Sequence, residues 1–370
     1  MAKKPVRIGI WGLGRAGWGM HCNEIDQYKD EFKVVAGCDQ LQERLDKLAE
    51  RYPGCKTYTD ADKFLKDPKI DLVSVAVRSA QHIDYAIRAL EAGKYVFIEK
   101  PVALSSAALK KLEAAMKKHP DKTFFRHNRR YEAAFNHVRE IMDSGILGKI
   151  YEIKLCRHGF QYREDWQAVS ECGGGQLNNW GPHIIDHMLQ MLESPVAEVW
   201  SDLKKVTAVG DAEDHVRIIL KGENKRLAEV EISGGVAIPG PSYVVHGTRG
   251  TLICEGDDIR LKYLDPNQKL DKITASKASP PIDGSFGRKD AFKWVRKTIM
   301  VEASNPDTEF DIYKYVYNAI RKGEKFPVTI EQAAEVVRIT EIVKNNSEFK
   351  MQEKKTAKAT TAAKKGTRRK

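Results

Sequence analysis

The sequence has little of what marks a membrane or secreted protein. No run of apolar residues approaches the roughly 20 needed to cross a bilayer, which excludes a helical membrane protein. The six cysteines include no Cys-x-x-Cys pair, so we expect buried thiols and neither a zinc ribbon nor a disulfide framework. A strand pattern starts within a few residues of the N-terminus and leaves no room for a secretory signal, so we expect a cytoplasmic protein.

Acidic residues are missing from one end of the chain, which accounts for most of its positive charge. The net charge is +11, and residues 354–370 contain eight Lys or Arg and no acid. We expect residues 349–370 to form a disordered basic tail, because they contain almost no large apolar side chains. The rest of the chain is close to neutral, so a nucleic acid is not an expected partner.

Alternating strand and helix patterns occupy the first third of the chain. Apolar runs such as VRIGIWG, FKVVAGCD, DLVSVAV and YVFIEK are separated by helical stretches such as HIDYAIRALEAGK. Buried runs that alternate with amphipathic helices are typical of an α/β fold with a parallel sheet covered on both faces. The length of 370 residues leaves room for a second domain, and we place the two domains at 1–122 and 123–348.

A glycine pattern follows the first strand. Gly12, Gly14 and Gly17 form G-x-G-x-x-G between that strand and a helix that begins near Ala16, and Asp39 ends the next strand. In this context the glycines let the backbone approach a pyrophosphate at the helix N-terminus, and the carboxylate accepts hydrogen bonds from ribose hydroxyls. The alternative is a tight turn and a solvated strand end that bind no ligand.

Asp39 also bears on the choice of dinucleotide. A carboxylate at this position repels the extra phosphate of NADP, and the next residue, Gln40, supplies no compensating cation. We therefore predict NAD as the cofactor. NADP is less favoured but stays open, because Arg44 lies one helical turn further along and is within reach of a phosphate.

Lys100 stands between Glu99 and Pro101 at the end of the fourth strand. Ligands of an open parallel sheet bind beyond the carboxyl ends of the strands, so we expect Lys100 to face the reactive end of the cofactor. Its ammonium group can polarise a substrate oxygen or, if burial lowers its pKa, relay a proton. The alternative is a surface lysine that closes the strand.

The segment QLNNWGPHIIDH, residues 176–187, places Asn179, His183 and His187 four residues apart, so they share one face of a helix. The two histidines have the spacing of metal ligands, but a stable site needs a third protein ligand, and the segment lacks the glutamate of H-E-x-x-H. We therefore expect no metal here. His187 is expected to be a core or helix-surface residue, and Asp186 to orient neighbouring groups.

Strand patterns dominate the second half of the chain. Segments such as KIYEIKLCRHGF, DHVRIILKG and SYVVHGTRGTLICEG contain alternating apolar and polar residues, as antiparallel strands with one solvated face do. A helical insertion, preceded by glycines at 173–175, interrupts them and can form one wall of a substrate site. Just before it, FQYREDWQ offers Tyr162, Arg163 and Trp166, which suit a carbohydrate subsite in which aromatic faces pack on sugar C–H groups.

Taken together, these motifs resemble the Gfo/Idh/MocA family of oxidoreductases. The resemblance rests on GLGRAG, Asp39, His82, EAGKYVFIEKPVAL, FRHNRRYEAAF and GGGQLNNWGPHIIDH, and it extends from about Val6 to Glu348. It implies a Rossmann domain followed by an α/β domain with a large, mostly antiparallel open sheet. The free face of that sheet commonly serves oligomerisation, so a homodimer or homotetramer is implied. The family's reaction is hydride transfer between nicotinamide C4 and a carbon of a sugar or polyol.

The resemblance also assigns roles to individual residues. Lys100 matches the family's catalytic lysine and His183 its acid/base histidine, while Asn179 stands where the family commonly has aspartate. The segment Asn128–Arg130 matches one that touches cofactor and substrate, or else forms a structural ion-pair cluster. The candidate cofactor-binding residues are Gly12, Leu13, Gly14, Arg15, Ala16, Gly17, Asp39, His82, Glu99, Lys100 and Asn128. The candidate substrate-binding residues are Arg129, Tyr162, Arg163, Trp166, Asn179 and His183.

The predicted protein is an NAD-dependent oxidoreductase that acts on a sugar, glycoside or polyol, with a keto-sugar as one class of product. We expect His183 to exchange the hydroxyl proton, Lys100 to stabilise the developing oxyanion and Asn179 to position the substrate. Unlike aspartate, the amide of Asn179 cannot take up a proton. The alternative is a sensor of the same fold that binds dinucleotide without turnover, and a metal-dependent lyase or hydrolase is less favoured.

Overall fold

The computed structural model describes residues 4–270, 292–301 and 311–350, together with positions 272, 274, 275 and 277. Within these residues the chain forms two sheets with helices packed against them. None of the described helices is both long and apolar enough to cross a membrane. The predicted disordered tail lies outside the described residues from position 351 onward.

The first sheet has six parallel strands in the order β3-β2-β1-β4-β5-β6. They are β1 (Val6–Trp11), β2 (Phe32–Cys38), β3 (Lys56–Tyr58), β4 (Leu72–Val75), β5 (Tyr95–Ile98) and β6 (Thr123–Phe125). This is the Rossmann order, and the prediction of a Rossmann domain is confirmed. The direction of winding reverses at β1, and dinucleotides bind beyond the strand ends at such a reversal.

Helices connect these strands. They are α1 (Cys22–Ile25), which continues a π-helical turn over Gly17–His21, followed by α2 (Gln42–Arg51), α3 (Ala61–Leu65), α4 (His82–Glu91) and α5 (Ser106–Lys118).

Strand β6 lies beyond residue 122, where the sequence places the domain boundary. Phe124 and Phe125 are buried there and complete the parallel sheet, so the first sheet extends past that boundary.

The second sheet has eight strands in the order β14-β13-β12-β11-β7-β10-β9-β8. They are β7 (Ile150–His158), β8 (Val196–Lys204), β9 (His215–Gly222), β10 (Leu227–Ser233), β11 (Tyr243–Gly247), β12 (Gly250–Glu255), β13 (Asp258–Leu264) and β14 (Trp294–Met300). Strands β7 and β10 pair in parallel, and the other described pairs are antiparallel. The predicted large, mostly antiparallel sheet is confirmed.

One face of the second sheet is covered by helices. These are α6 (Ala133–Asp143), α7 (Gln176–Asn179), α8 (Gly181–Leu192) and α10 (Ile330–Asn345). Inward residues such as Leu155 and Val230 are buried against them. Because strand residues alternate between faces, Trp200 and Arg217 point the other way and are exposed, by 54% for Trp200. We call this second surface the open face.

The last two helices connect the two domains. Helix α9 (Asp311–Lys322) places Tyr313 and Val316 in the core of the first domain. Helix α10 contacts α5 of the first domain and α8 of the second. Thr329 and Gln332 form a capping box at the start of α10. The chain therefore returns to the first domain after completing the second sheet, a feature that contiguous domain boundaries do not describe.

Candidate active site

The glycine loop lies at the carboxyl end of β1. Gly12 has a φ of +95°, and a Cβ there would lie 2.6 Å from the backbone oxygen of Ala76. A Cβ on Gly17 would overlap the backbone oxygen of Gly12, so the loop and the following helix approach too closely for side chains. At Gly14 only the tip of Arg44 is nearby, 4.0 Å from the Cβ position. This is the form of loop that pyrophosphate binding requires.

Asp39 is tied to the glycine loop. One carboxylate oxygen accepts the Leu13 N–H at 2.7 Å and lies 3.3 Å from a terminal guanidinium nitrogen of Arg44. The other oxygen accepts the Leu41 N–H at 3.0 Å. The carboxylate therefore lies beside the glycine loop and already has a cationic partner, and its ribose-binding role stays a prediction. The pair places both an anion and a cation next to the glycine loop.

Lys100 follows β5 and has a cis peptide bond to Pro101. Its Nζ donates to the backbone oxygen of Asn179 at 2.9 Å and to the side-chain oxygen of Asn179 at 3.3 Å. Burial lowers the pKa of Lys100 to about 8; Glu99 opposes this shift, and the charge of Arg126 adds to it. The ammonium group is thus protonated at neutral pH but close to losing its proton. The surface-lysine alternative is not what the structure shows.

His183 lies in the first turn of α8 and is only 5% exposed. Burial, followed by the positive charges of Lys100 and Arg129, lowers the pKa of His183 well below 6.5, so the ring is neutral at physiological pH. Its Nδ1 has no hydrogen-bond partner among the described residues. A neutral imidazole with a free ring nitrogen can accept a proton.

Asn179 and His183 belong to two short helices that follow each other closely. Helix α7 ends at Asn179 and α8 begins at Gly181, with Trp180 between them. Trp180 keeps helical dihedral angles, φ −91° and ψ −30°, so the predicted alignment of Asn179 with His183 survives the junction. The structure thus brings the three predicted catalytic residues together, and we call Lys100, Asn179 and His183 the reactive cluster. Their catalytic roles stay predictions.

His187, one turn beyond His183, is a buried residue with both ring nitrogens in contact with partners. Its Nε2 lies 2.8 Å from the backbone oxygen of Arg129, and its Nδ1 lies 3.1 Å from the Tyr243 hydroxyl. The ring stacks on Phe135 at 3.9 Å. Burial lowers the pKa of His187 to about 4, so it is a neutral core residue, as expected from the sequence.

The two arginines of the HNRRY segment have different surroundings. Arg130 forms a double ion pair with Asp186, at 2.7 and 2.5 Å, and donates to Gln332 of α10 at 2.8 Å. Arg130 is therefore a structural ion-pair residue, and Asp186 orients it. Arg129 pairs with Glu132 and places its guanidinium 4.6 Å from the ring centre of Trp180, next to the reactive cluster.

A group of buried polar residues lies next to Lys100, and sequence reasoning missed all of them except Glu99. Arg126 pairs with Glu99 at 2.9 Å and with Glu24. The Nε2 of His21 lies 3.1 Å from Glu99, and its Nδ1 contacts the Tyr313 hydroxyl. We call these five residues the support cluster. Glu99 also accepts the backbone N–H that follows it in the chain at 3.1 Å, so the cluster holds the loop that carries the lysine.

Two predicted cofactor-binding residues have different surroundings. His82 is buried, and its ring nitrogens lie 2.7 Å from the backbone oxygen of Pro101 and 3.1 Å from that of Val77. This geometry favours a supporting role for His82, as it does for Glu99. Asn128 has a buried side-chain oxygen without a partner among the described residues, so it keeps the capacity to bind a ligand.

The predicted carbohydrate subsite is brought together only in part. Tyr162 is 71% exposed, and Trp166 starts a 3-10 turn, Trp166–Ala168. Arg163 pairs with Asp165 at 2.8 Å and lines a pocket that also contains Asn179. Of the three residues proposed from the sequence, Arg163 is the one that borders this pocket.

A second buried ion pair anchors α7. Lys344 of α10 lies 2.5 Å from one carboxylate oxygen of Glu213, and the other oxygen accepts the Leu177 N–H at 3.1 Å. Gly175 has a φ of +103°, and a Cβ there would overlap the Glu213 carboxylate. The third glycine of the triplet is therefore required by a glutamate almost forty residues later in the chain, a contact that no local pattern indicates.

Outside this region, one group of side chains has metal-ligand character. Among the described residues, Cys156, His158 and Glu231 on the open face have ligand atoms within 4.8 Å of one another. His158 accepts the Gly240 N–H on Nδ1 at 3.1 Å, and its Nε2 lies 3.3 Å from Glu231.

A glycine loop on a Rossmann sheet, with a lysine at a strand end of that sheet meeting a histidine on a helix of the second domain, defines a two-domain, dinucleotide-binding oxidoreductase. The chain belongs to the Gfo/Idh/MocA family. Residues 6–127 match its oxidoreductase domain, described as an NAD-binding Rossmann fold, and residues 135–253 match its C-terminal domain. The family resemblance seen in the motifs is therefore confirmed.

One relative of the chain is named for a polyol substrate and another for a glucoside. The chain is 25% identical over 358 residues to scyllo-inositol 2-dehydrogenase (NADP(+)) of Bacillus subtilis, covering 93% of this chain and 94% of that protein. It is 27% identical over 201 residues to D-glucoside 3-dehydrogenase of Escherichia coli, covering 54% and 57%. An NAD-binding protein from Listeria innocua shares the fold, with a TM-score of 0.77 and 24% identity over 93% of this chain and 98% of that one.

Proposed function

We propose that the protein is an NAD-dependent dehydrogenase that oxidises a CH–OH group of a sugar, glycoside or polyol. The observation that carries this proposal is the reactive cluster, in which the Lys100 ammonium bonds Asn179 one helical turn from a neutral His183. The relatives named for scyllo-inositol and D-glucosides support the class of substrate.

Alcohol oxidation needs a proton acceptor and a group that stabilises the developing oxyanion. His183 is neutral and buried, so it accepts the hydroxyl proton. Lys100 donates a hydrogen bond to the substrate oxygen as its negative charge grows. The contact of Lys100 with the side-chain oxygen of Asn179 is the longer of its two, at 3.3 Å, and a substrate oxygen can replace it. Asn179 then positions the substrate.

The residues present fit a dinucleotide. The glycine loop at 12–17 would hold its pyrophosphate and Asp39 its ribose, and the bound nicotinamide supplies the hydride acceptor. We propose a preference for NAD, because the Asp39 carboxylate repels a 2′-phosphate and Arg44 is already paired with it at 3.3 Å. Arg44 is also the residue that would favour NADP, so the cofactor test must include both.

The proposal is tested by the absorbance at 340 nm of purified protein supplied with NAD or NADP and a panel of inositols, hexoses and methyl glycosides. We expect a substrate-dependent rise with NAD that Lys100→Met and His183→Gln abolish. Lys118→Met, an exposed lysine of α5, is the matched control and should leave the rate unchanged. Absence of any rise with either cofactor contradicts the proposal.

A second candidate is a sensor that binds dinucleotide and sugar without turnover. The observation that favours it is Asn179, whose neutral amide replaces a group able to take a proton. Calorimetric binding of NAD and a sugar, combined with no hydride transfer, would select the sensor over the dehydrogenase.

We also propose that copies of the chain associate through the open face. It carries exposed apolar residues, including Trp200 and Met300, next to alternating charges such as Lys154 and Glu229. Light scattering on the purified protein should give a homodimer or homotetramer, and Trp200→Glu should shift the distribution toward the monomer. A wild-type monomer at micromolar concentration would contradict this.

A further inference from the structure

A pocket lies beside the reactive cluster and extends away from it. Its free volume is about 20 Å³, which is room for roughly one water molecule or one hydroxyl group. Its polar lining includes Arg163, Gln167, Gln176, Asn179, Glu213 and Asp214. Asn179 is the member of the reactive cluster that lines it, whereas Lys100 and His183 do not. The pocket therefore borders the reacting centre on one side.

Two glutamine side chains in this pocket have buried oxygens without partners. The Oε1 atoms of Gln167 and Gln176 are inaccessible to solvent and accept no hydrogen bond from the described residues. Gln176 as a whole is 7% exposed. A buried acceptor without a donor costs about 1–3 kcal/mol, so two of them in one pocket indicate a ligand or water that supplies the donors.

Gln176 is also aligned with the reactive cluster. It lies three residues before Asn179 and seven before His183, and these spacings place all three on one side of a continuous helical path. A molecule held near Lys100 and His183 would therefore reach Gln176 by extending along this side of α7.

The charged groups of the pocket already have partners. Glu213 pairs with Lys344 at 2.5 Å, and Arg163 pairs with Asp165 at 2.8 Å. Asp214 accepts the N–H groups of Val206 and Thr207 at 2.6 and 2.7 Å. The hydrogen-bonding capacity left in the wall is thus that of neutral amides, which suits hydroxyl donors better than a carboxylate or a phosphate.

We infer that Gln167 and Gln176 form a specificity subsite that accepts one hydroxyl of a neutral group attached to the ring that is oxidised. The substrate is then larger than one ring, such as a disaccharide or a glycoside with a hydroxylated second part. This inference rests on the proposed dehydrogenase function and adds the size and charge of its substrate.

Calorimetry on the NAD-loaded protein tests the subsite without relying on turnover. The probes are D-glucose, the neutral disaccharides cellobiose, maltose and trehalose, and the acidic disaccharide cellobiouronic acid. We expect at least one neutral disaccharide to bind about tenfold more tightly than glucose and than the acidic probe. Gln176→Leu and Gln167→Leu should each weaken that disaccharide about 3- to 10-fold, as expected for one lost hydrogen bond, and leave glucose within twofold.

Gln190→Leu, the same substitution on α8 outside the pocket, is the control. It should leave the affinities for glucose and for the disaccharide unchanged. In turnover assays the two pocket variants should raise KM for the disaccharide and leave kcat within twofold, because they do not touch the reacting atoms. Equal weakening of glucose and disaccharide, or no weakening, overturns the subsite, as does failure of every neutral disaccharide to bind better than glucose. If binding depends on Gln176 but no sugar is oxidised, the subsite stands and the dehydrogenase proposal fails.

Discussion

The reactive cluster and the support cluster lie next to each other, but they differ in exposure and in how their charges are paired. All five residues of the support cluster are buried, whereas in the reactive cluster His183 is buried and Lys100 and Asn179 are partly exposed. In the support cluster Arg126 is bonded to Glu99 and Glu24, and Glu99 also contacts His21. In the reactive cluster the Lys100 ammonium contacts only neutral oxygens of Asn179 among the described residues. Burial alone therefore does not mark a reactive site. The reactive site is marked instead by the uncompensated charge of Lys100 and by the free ring nitrogen of His183.

The largest expected effect separates the two histidines of α8. His183→Gln should lower kcat by about 10²- to 10⁴-fold, because it removes the proton acceptor, and should leave the unfolding midpoint nearly unchanged. His187→Gln should lower the free energy of unfolding by about 1–3 kcal/mol, because it disrupts two buried contacts, with kcat little affected. Steady-state kinetics and urea denaturation of both variants measure this. A large loss of kcat in His187→Gln with a normal midpoint would contradict the distinction.

The next effect compares the two cations. Arg126→Met should lower the free energy of unfolding by about 3–5 kcal/mol, because it leaves Glu24 and Glu99 buried without their partner. Lys100→Met should not destabilise the protein at pH 7, because the lowered pKa of Lys100 shows that the fold disfavours its charge. Lys100→Met should nevertheless be inactive. Urea midpoints at pH 7 test both, and equal destabilisation would show that Lys100 is a structural ion.

The smallest effect concerns pH. Lys100 has a pKa of about 8, so its ammonium is present below that pH and is lost above it. The rate of oxidation should therefore fall as the pH rises through 8, whereas the His183 pKa, well below 6.5, adds no change between pH 6.5 and 8. Asn179→Asp places a negative charge beside the ammonium and should move this alkaline limb upward by about one pH unit. If the fall in rate stays at the same pH in Asn179→Asp, the titration of Lys100 does not cause it.

Much of the fold was predictable because its signals are local. The four apolar runs of the first domain, the glycine spacing and the strand-end Asp39 each lie within short segments whose periodicity and turn chemistry act on near neighbours. The strand end made Lys100 a candidate and the helical spacing drew attention to His183, but their proposed roles came from the family resemblance. The helix break at Trp180 and the return of α9 to the first domain were not predicted, because packing decides them.

The partners of the site residues could not be predicted, since they come from distant segments. Glu213 meets Lys344 more than a hundred residues later, and Tyr313 meets His21 nearly three hundred residues away. No periodicity relates such positions. The unsatisfied oxygens of Gln167 and Gln176 were equally invisible, because a glutamine in a sequence does not show whether folding supplies its donors.

By itself the sequence determined which elements form, which face of each is apolar, and that a dinucleotide loop, a strand-end lysine and a helix with two histidines exist. Only the tertiary structure decided which histidine keeps a free nitrogen, which arginine is paired, and that Lys100 has a lowered pKa. The physical reason is that pattern depends on covalent neighbours, whereas desolvation, charge pairing and hydrogen-bond satisfaction depend on groups that folding brings together.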